Sequence, residues 1–532
     1  FCLIDQRIKT GSGLDGQIET FRALTGVGIA VLILSHYHLK DMREHKIPYL
    51  IWSLICVIGG ILFIAKGQAL RYFWNERATI AVNVLLWGVI LIHTCRKVLS
   101  AKSTAESNMD RKSFCLWLVM MGIMCVSRSA YHWPALYLIM FICFYLTDFT
   151  SAEREELFHG MLDGVIWAFW LMQGWCFAFR PYDDVRYVGV YNNSNLNAVF
   201  YLAVLAAAMT KLIYWYSVSK DKGMYKALKL YYTAGVGVTL GFLFLTISRT
   251  GWMTAVILVF FGLFFLWKIG SSQNIFKFYL KQGLVFVLCF VLLFPAVFGA
   301  VRYLPPMFHH PVWFFGEWSE DKVHSWDKWD SEKFVDIDEF LGTANKRVAR
   351  IFGNVIKTDQ SDGQAQKNAV LTENEKKKEI EPSELQLSLY EETLAAGYAF
   401  PAGYKASDWE VRGAIYRYYI HLLNLTGHPE SEQGFQMTAT HRIGHAHNIY
   451  LQWGVDFGVP AMILFIGIVL YTFIRLIKSV ILKHSVQDAG YLMFFLIPCV
   501  FGMLEYAWGA GTFTLLVLFM TWRRIIRNED RG

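Results

Sequence analysis

Charged side chains are scarce in this chain. Asp, Glu, Lys and Arg make up 17% of its 532 residues, against 55% hydrophobic and 16% aromatic, and the mean hydropathy is +0.33. That balance excludes a soluble multidomain protein and defines a polytopic membrane protein. Cysteine is sparse as well. Most of the 9 cysteines, among them Cys56, Cys125, Cys143, Cys289 and Cys499, lie in apolar runs, and none falls in the polar stretch 303–446. A disulfide-stapled outer domain is thereby excluded. No basic n-region and small-residue cleavage site precede the first apolar stretch, and the chain opens on Phe1 rather than Met, so the N-terminus is expected to be incomplete. Internal repeats are absent. The net charge of +7 comes from Lys and Arg spread over short loops instead of one stripe, which argues for membrane orientation and against nucleic acid.

What is present is a series of apolar runs near the roughly 20 residues that a spanning helix needs. They begin at about Arg22, Ile47, Ala78, Phe114, His132, Leu157, Leu196, Lys229, Gly251, Gln282, Val459, Tyr491 and Gly511. The expected fold is all-α, with about 12–14 transmembrane helices and a large, partly helical extracytoplasmic loop. Basic residues alternate between loops. Arg96, Lys97, Lys102, Arg111 and Lys112 share one, Lys220, Lys222 and Lys226 a second, and Arg475, Lys478 and Lys483 a third; Arg523, Arg524 and Arg527 follow at the C-terminus. The positive-inside rule makes these cytoplasmic. It then puts residues 179–195, the SRTGW turn (248–252), the insertion and EYAWGAGT (505–512) together on the outer face.

The expected organisation is an N-terminal helix bundle over 1–302, an extracytoplasmic loop domain over 303–446, and C-terminal transmembrane helices over 447–532. Within the loop, 303–329 is aromatic and suits the bilayer interface, and 357–382 is polar enough to be a flexible excursion. Two helical patterns follow, over 383–399 with Glu384 in its first turn and over 407–427, the latter with Ser407 as N-cap, Glu410 at the capping-box position and Gly427 as C-cap.

Arg186, Arg249 and Arg412 are among the few arginines expected outside. A guanidinium presents a planar fork that pairs bidentately with phosphate and stays charged when desolvated. A diphosphate is therefore the expected ligand, with arginines supplying the counter-charge a metal would otherwise provide. Neither HExxH nor CxxC occurs on that face, the Asp336/Asp338 pair and the histidines at 309–310 are weak patterns, and no metal or other cofactor is expected. A lone arginine at a helix end is most often a snorkelling anchor. Arg249 resists that reading, because it sits in a turn of a few residues between two apolar runs, flanked by Ser248, Thr250 and Gly251. In HAHNIYLQ (445–452), His447 has the chemistry of a general base for a hydroxyl. If the segment is helical, Asn448, Gln452 and Asp456 form a polar stripe able to orient that imidazole. The plainer alternative is that His445 and His447 cap a helix.

The order YVGVYNNSNLNAVFYL (187–202), SRTGW, VRGAIYRYY around Arg412, and HNIYLQWGVDFGVPA (447–461) resembles the O-antigen ligase and polysaccharide polymerase superfamily over about residues 180–480. The resemblance implies a GT-C-like, inverting, metal-independent glycosyltransferase in the bacterial plasma membrane, with its active site on the extracytoplasmic side. Its donor would be a glycan on undecaprenyl diphosphate, its acceptor a glycan, lipid or protein, and its surroundings membrane lipids. His447 and Arg249 match the catalytic positions, His447 as the group that activates the acceptor. Arg186 and Arg412 match arginines around the diphosphate, and Asn193, Asn195, Ser248, His445, Asn448 and Tyr450 are expected to bind substrate. The family's Asn-Pro-Asn reads Asn193-Ser194-Asn195 here, and Asp456 stands where Glu is commoner. Glu505 is expected near the outer end of its helix as a partner for one of the arginines. Two other readings share this sequence: a repeat-unit polymerase using the same residues, and a transporter or flippase for a lipid-linked anion.

Overall fold

The computed structural model describes residues 43, 46–65, 110–128, 151–178, 181–183, 185–189, 191, 194–218, 223–270, 274–307, 313–314, 337–352, 384–401, 408–429, 432–438, 441–505, 521–522 and 524–525. The runs expected from about Arg22, Ala78, His132 and Gly511, the flexible excursion 357–382, Asn193 and Ser407 lie outside them. Every other expected run coincides with a helix: α1 (Lys46–Ala65), α2 (Arg111–Val126), α3 (Ser151–Ala178), α4 (Ser194–Ser217), α5 (Gly223–Leu245), α6 (Arg249–Gly270) and α7 (Ile275–Met307), then α12 (Val459–Lys483) and α13 (Val486–Phe501). Five of these, α4 to α7 and α12, are long and apolar enough to cross a membrane. The chain is a helical, multi-pass membrane protein.

Helix α4 is the axis of the bundle. It is apolar on all sides, and its Ala-rich stretch, with Ala203, Ala206, Ala207 and Ala208 all buried, lets α3, α5, α6 and α13 pack around it. Gly251 permits one of these close approaches, since a Cβ there would stand 2.9 Å from the Ala198 Cβ. By contrast α7 presents Leu284, Val287, Leu288, Val291 and Leu292 outward, as a lipid-facing surface must. It also runs past the expected boundary at 302–303 and ends at Met307.

The remaining helices are α8 (Ile337–Phe352), α9 (Glu384–Ala395), α10 (Asp408–His421) and α11 (Ile449–Phe457). The fold is helical throughout, as expected, with a few short strands beside the helices. β1 (Pro181–Asp183) pairs antiparallel with β2 (Arg186–Tyr187) and parallel with β3 (Trp313–Phe314), and β4 (Phe435–Thr438) pairs antiparallel with β5 (His441–Ile443). One correction concerns α10, which stops at His421 and not at Gly427. The Asn424 side chain accepts from the Thr426 N–H at 2.9 Å and its carbonyl accepts from Val459 N–H at 2.8 Å, so the backbone turns instead of continuing the helix. Ile415, Tyr419, Phe435, Ile443, Ala446 and Val455 form a separate small core. That core carries the chain directly into HAHN.

Candidate functional site

The motif residues converge at one end of the bundle. Arg186 opens β2 and reaches over the start of α4 to the turn between α5 and α6. Its Nε donates to the Thr246 carbonyl at 3.3 Å and its Nη2 to Asn195 Oδ1 at 3.0 Å. The same Oδ1 accepts from the Ser248 hydroxyl at 2.9 Å. Ser248 also caps α6, because its Oγ accepts from the Gly251 N–H at 3.1 Å. Arg249 is the first residue of α6 and half-buried. Its neighbour Ser248 ties it to the cluster.

Glu505 joins this half of the site to the other. It lies just beyond α13, in the turn that follows Phe501. Its Oε1 accepts from Asn195 Nδ2 at 3.0 Å and from Arg412 Nη2 at 3.4 Å, and its Oε2 lies 3.2 Å from His447 Nδ1. Arg412 Nη1 donates in addition to the Leu504 carbonyl at 2.7 Å. The side chains of Glu505, Arg412 and His447 are 16%, 23% and 29% exposed. They are desolvated enough for charge to act strongly and open enough to be reached. An ionised carboxylate only accepts hydrogen bonds, so beside it the neutral form of His447 keeps its proton on Nδ1 and presents the lone pair at Nε2.

The local backbone is set up for this. His447 has φ of 49°, in the left-handed region, and so does Ile247, at 47°, immediately before SRTGW. For residues other than glycine, and for a β-branched one above all, such a conformation costs of order 1–3 kcal/mol and collects at functional sites. His447 is held in it from both sides. Asn448, its successor, is the N-cap of α11 and accepts from the Leu451 N–H at 3.0 Å, while its amide donates to the Met503 carbonyl at 3.0 Å. Its predecessor Ala446 donates its N–H to Gln452 Oε1 at 2.7 Å. The helix cap is thus Asn448, and the two histidines precede the helix with their rings edge-on at 4.2 Å.

Behind this segment a clasp joins the stretch after α10 to the residues after α2. Arg128, at the end of α2, pairs with Glu432 at 2.7 Å, and Glu432 also meets His428 Nδ1 at 3.0 Å. The His428 hydrogen bond, then the Arg128 charge, hold the Glu432 carboxyl below its ordinary range against the opposing effect of desolvation. Burial pushes the Tyr419 and Tyr418 phenols up, so both are neutral donors. Tyr418 donates to the Gly434 carbonyl at 3.0 Å.

Of the residues expected from the sequence, Arg186, Asn195, Ser248, Arg412, His447 and Asn448 are brought together, with Arg249 and His445 adjoining them. Tyr450 turns away, its hydroxyl donating to the Cys499 carbonyl at 3.1 Å. Glu505 is the hub: membrane topology suggests it only as a partner for one arginine, and it meets Asn195 and His447 besides Arg412. The carbonyls of Thr246, Met503 and Leu504 were not foreseeable, since any residue type supplies one.

No family, no curated protein and no solved structure matches the chain. Fold and site by themselves define a class: a helical multi-pass membrane protein with a cationic polar cluster at one end of its bundle. Arg186, Arg412 and the N-termini of α4, α6 and α11 gather at Glu505 and its partner Asn195, with Arg249 next in sequence to Ser248, an arrangement suited to an anion.

Proposed function

We propose that this protein transfers a glycan from undecaprenyl diphosphate to an acceptor hydroxyl on the outer face of the bacterial plasma membrane, as an inverting, metal-independent glycosyltransferase similar to O-antigen ligases. The observation that carries the reading is the Glu505 hub, which holds an imidazole beside arginines and helix N-termini. Base and counter-charge are what glycosyl transfer from a diphosphate requires. In the proposed reaction the acceptor O–H proton passes to His447 Nε2 as the oxygen bonds to the anomeric carbon. The bond from that carbon to the diphosphate oxygen breaks, and its electron pair leaves with undecaprenyl diphosphate. Arg249, Arg186 and Arg412 stabilise the departing charge. Glu505 orients the ring and stabilises the imidazolium as it forms.

Replacing His447 or Arg249 by Ala is expected to abolish transfer while leaving membrane insertion intact, and near-full transfer by both variants would sink the proposal. A polymerase would use the same residues, so product size separates the two: deletion that removes a ladder of repeat lengths indicates polymerisation, and deletion that strands finished polymer on its lipid indicates ligation. A flippase would move lipid-linked glycan across vesicles without releasing the diphosphate lipid.

A further inference from the structure

We infer that Gln452 is a positioning residue for His447, acting through the backbone and touching neither substrate. The claim deepens the proposed function and rests on it for its kinetic readout only. Gln452 sits one turn into α11 and is 3% exposed. Its side chain is fully used: Oε1 accepts from the Ala446 N–H at 2.7 Å, while Nε2 lies 2.7 Å from Gln433 Oε1 and 2.8 Å from Asp456 Oδ1. Gln433, itself 4% exposed, donates to the same Asp456 oxygen at 2.8 Å. The carboxylate at the far end fixes the polarity of the chain. Asp456 accepts only, so both amides present their nitrogens to it, and the Gln452 carbonyl is left facing Ala446.

The consequence falls on the residue after Ala446. His447 occupies a left-handed backbone conformation that persists only where its surroundings over-determine it. The grip on Ala446 before it and the Asn448 cap after it are the two sides of that constraint. With the Ala446 tether released, the peptide relaxes towards the favoured region and the ring swings off Glu505. A reacting group misplaced by about 1 Å can lose about 10²-fold in rate. Substrate lipid, held by arginines on other elements, would bind as before.

The test uses the full chain in nanodiscs, with Gln452→Leu and Gln433→Leu. Q452L removes the Ala446 tether; Q433L leaves that bond in place and removes a partner of the Gln452 nitrogen, together with a donor to Asp456 and to the His428 carbonyl. The expected result for Q452L is a fall in kcat of about 10- to 100-fold with KM for undecaprenyl-diphosphate glycan within about twofold, and a smaller fall in kcat for Q433L. In protein labelled with 15N-histidine, the Nδ1 proton of His447 bonded to Glu505 gives a downfield resonance, identified by its loss in His447→Gln. That signal is expected to vanish in Q452L and to persist in Q433L. Wild-type kcat with an unchanged resonance in Q452L overturns the inference, as does a loss confined to KM. Should Q452L not fold, an undiminished kcat in Q433L overturns it and a reduced kcat at constant KM supports it. If the wild-type protein transfers nothing, the proposed function fails while the resonance still decides the positioning role.

Discussion

Glu505→Gln is the most informative single substitution, because it keeps shape and removes charge. Asn195 still finds an acceptor at Oε1, where it now donates at 3.0 Å, and Arg412 keeps the Leu504 carbonyl at 2.7 Å. The lost ion pair with Arg412, at 3.4 Å between partly buried groups, therefore costs only about 1–2 kcal/mol of stability. At His447 the effect differs in kind. An amide nitrogen now faces Nδ1 across the 3.2 Å contact. It donates, so the neutral ring adopts the tautomer with its proton on Nε2, and the lone pair that would accept the acceptor's proton is gone. General-base catalysis contributes about 10²- to 10⁴-fold, or about 3–5 kcal/mol of barrier, and that is the expected fall in kcat. The assay is release of undecaprenyl diphosphate by purified variant at saturating donor, with melting temperature measured on the same preparation. E505Q that folds normally and keeps kcat within threefold of wild type would refute the assignment of His447 as an oriented base.

Two further outcomes follow from other parts of the molecule. Gly251→Leu brings a side chain against Ala198, where even a Cβ would stand 2.9 Å from its neighbour; overpacking at the α4–α6 crossing is expected to cost about 1–3 kcal/mol, read as a lower melting temperature, and an unchanged value contradicts the packing described for α4. The clasp of Arg128, Glu432 and His428 makes the join between α2 and the stretch after α10 sensitive to acid. Because the folded pKa of Glu432 is depressed, its stabilisation is complete above the unfolded carboxylate value of about 4.3 and is lost as pH falls through the lower folded value. Hydrogen exchange at the Arg128 and His428 amides, corrected for the intrinsic rate, should accelerate over that window in the wild type and show no such step in Glu432→Gln.

The membrane bundle was legible in the sequence because its signal is local: an apolar run of spanning length forms a helix whatever lies elsewhere. The site was legible in its participants more than in its wiring. Arg186, Arg412 and His447 stand out as charge and imidazole at the ends of apolar segments, yet Arg412 and His447 meet at Glu505, and Arg186 is joined to it through Asn195, 310 positions away, a pairing that no local pattern encodes. The expected stripe of Asn448, Gln452 and Asp456 is real but divides by role. Asn448 leaves the helix to cap it, while Gln452 and Asp456 act on the peptide before His447. Tyr450 was drawn in by its place in the motif, although its register on α11 points it at α13. The short strands escaped notice because pairs of two to four residues carry no period to read. Past the end of α10 the Asn424 side chain accepts from the Thr426 and Gly427 amides, a turn that competes with a helical pattern that reads on to Gly427.

The central claim is that a diphosphate lipid leaves from an arginine-lined site without help from a metal. Purified protein is incubated with an undecaprenyl-diphosphate glycan and candidate acceptors in the presence of a chelator, and the released lipid is quantified. Release at an undiminished rate is the predicted result; strict dependence on added divalent metal would contradict the account.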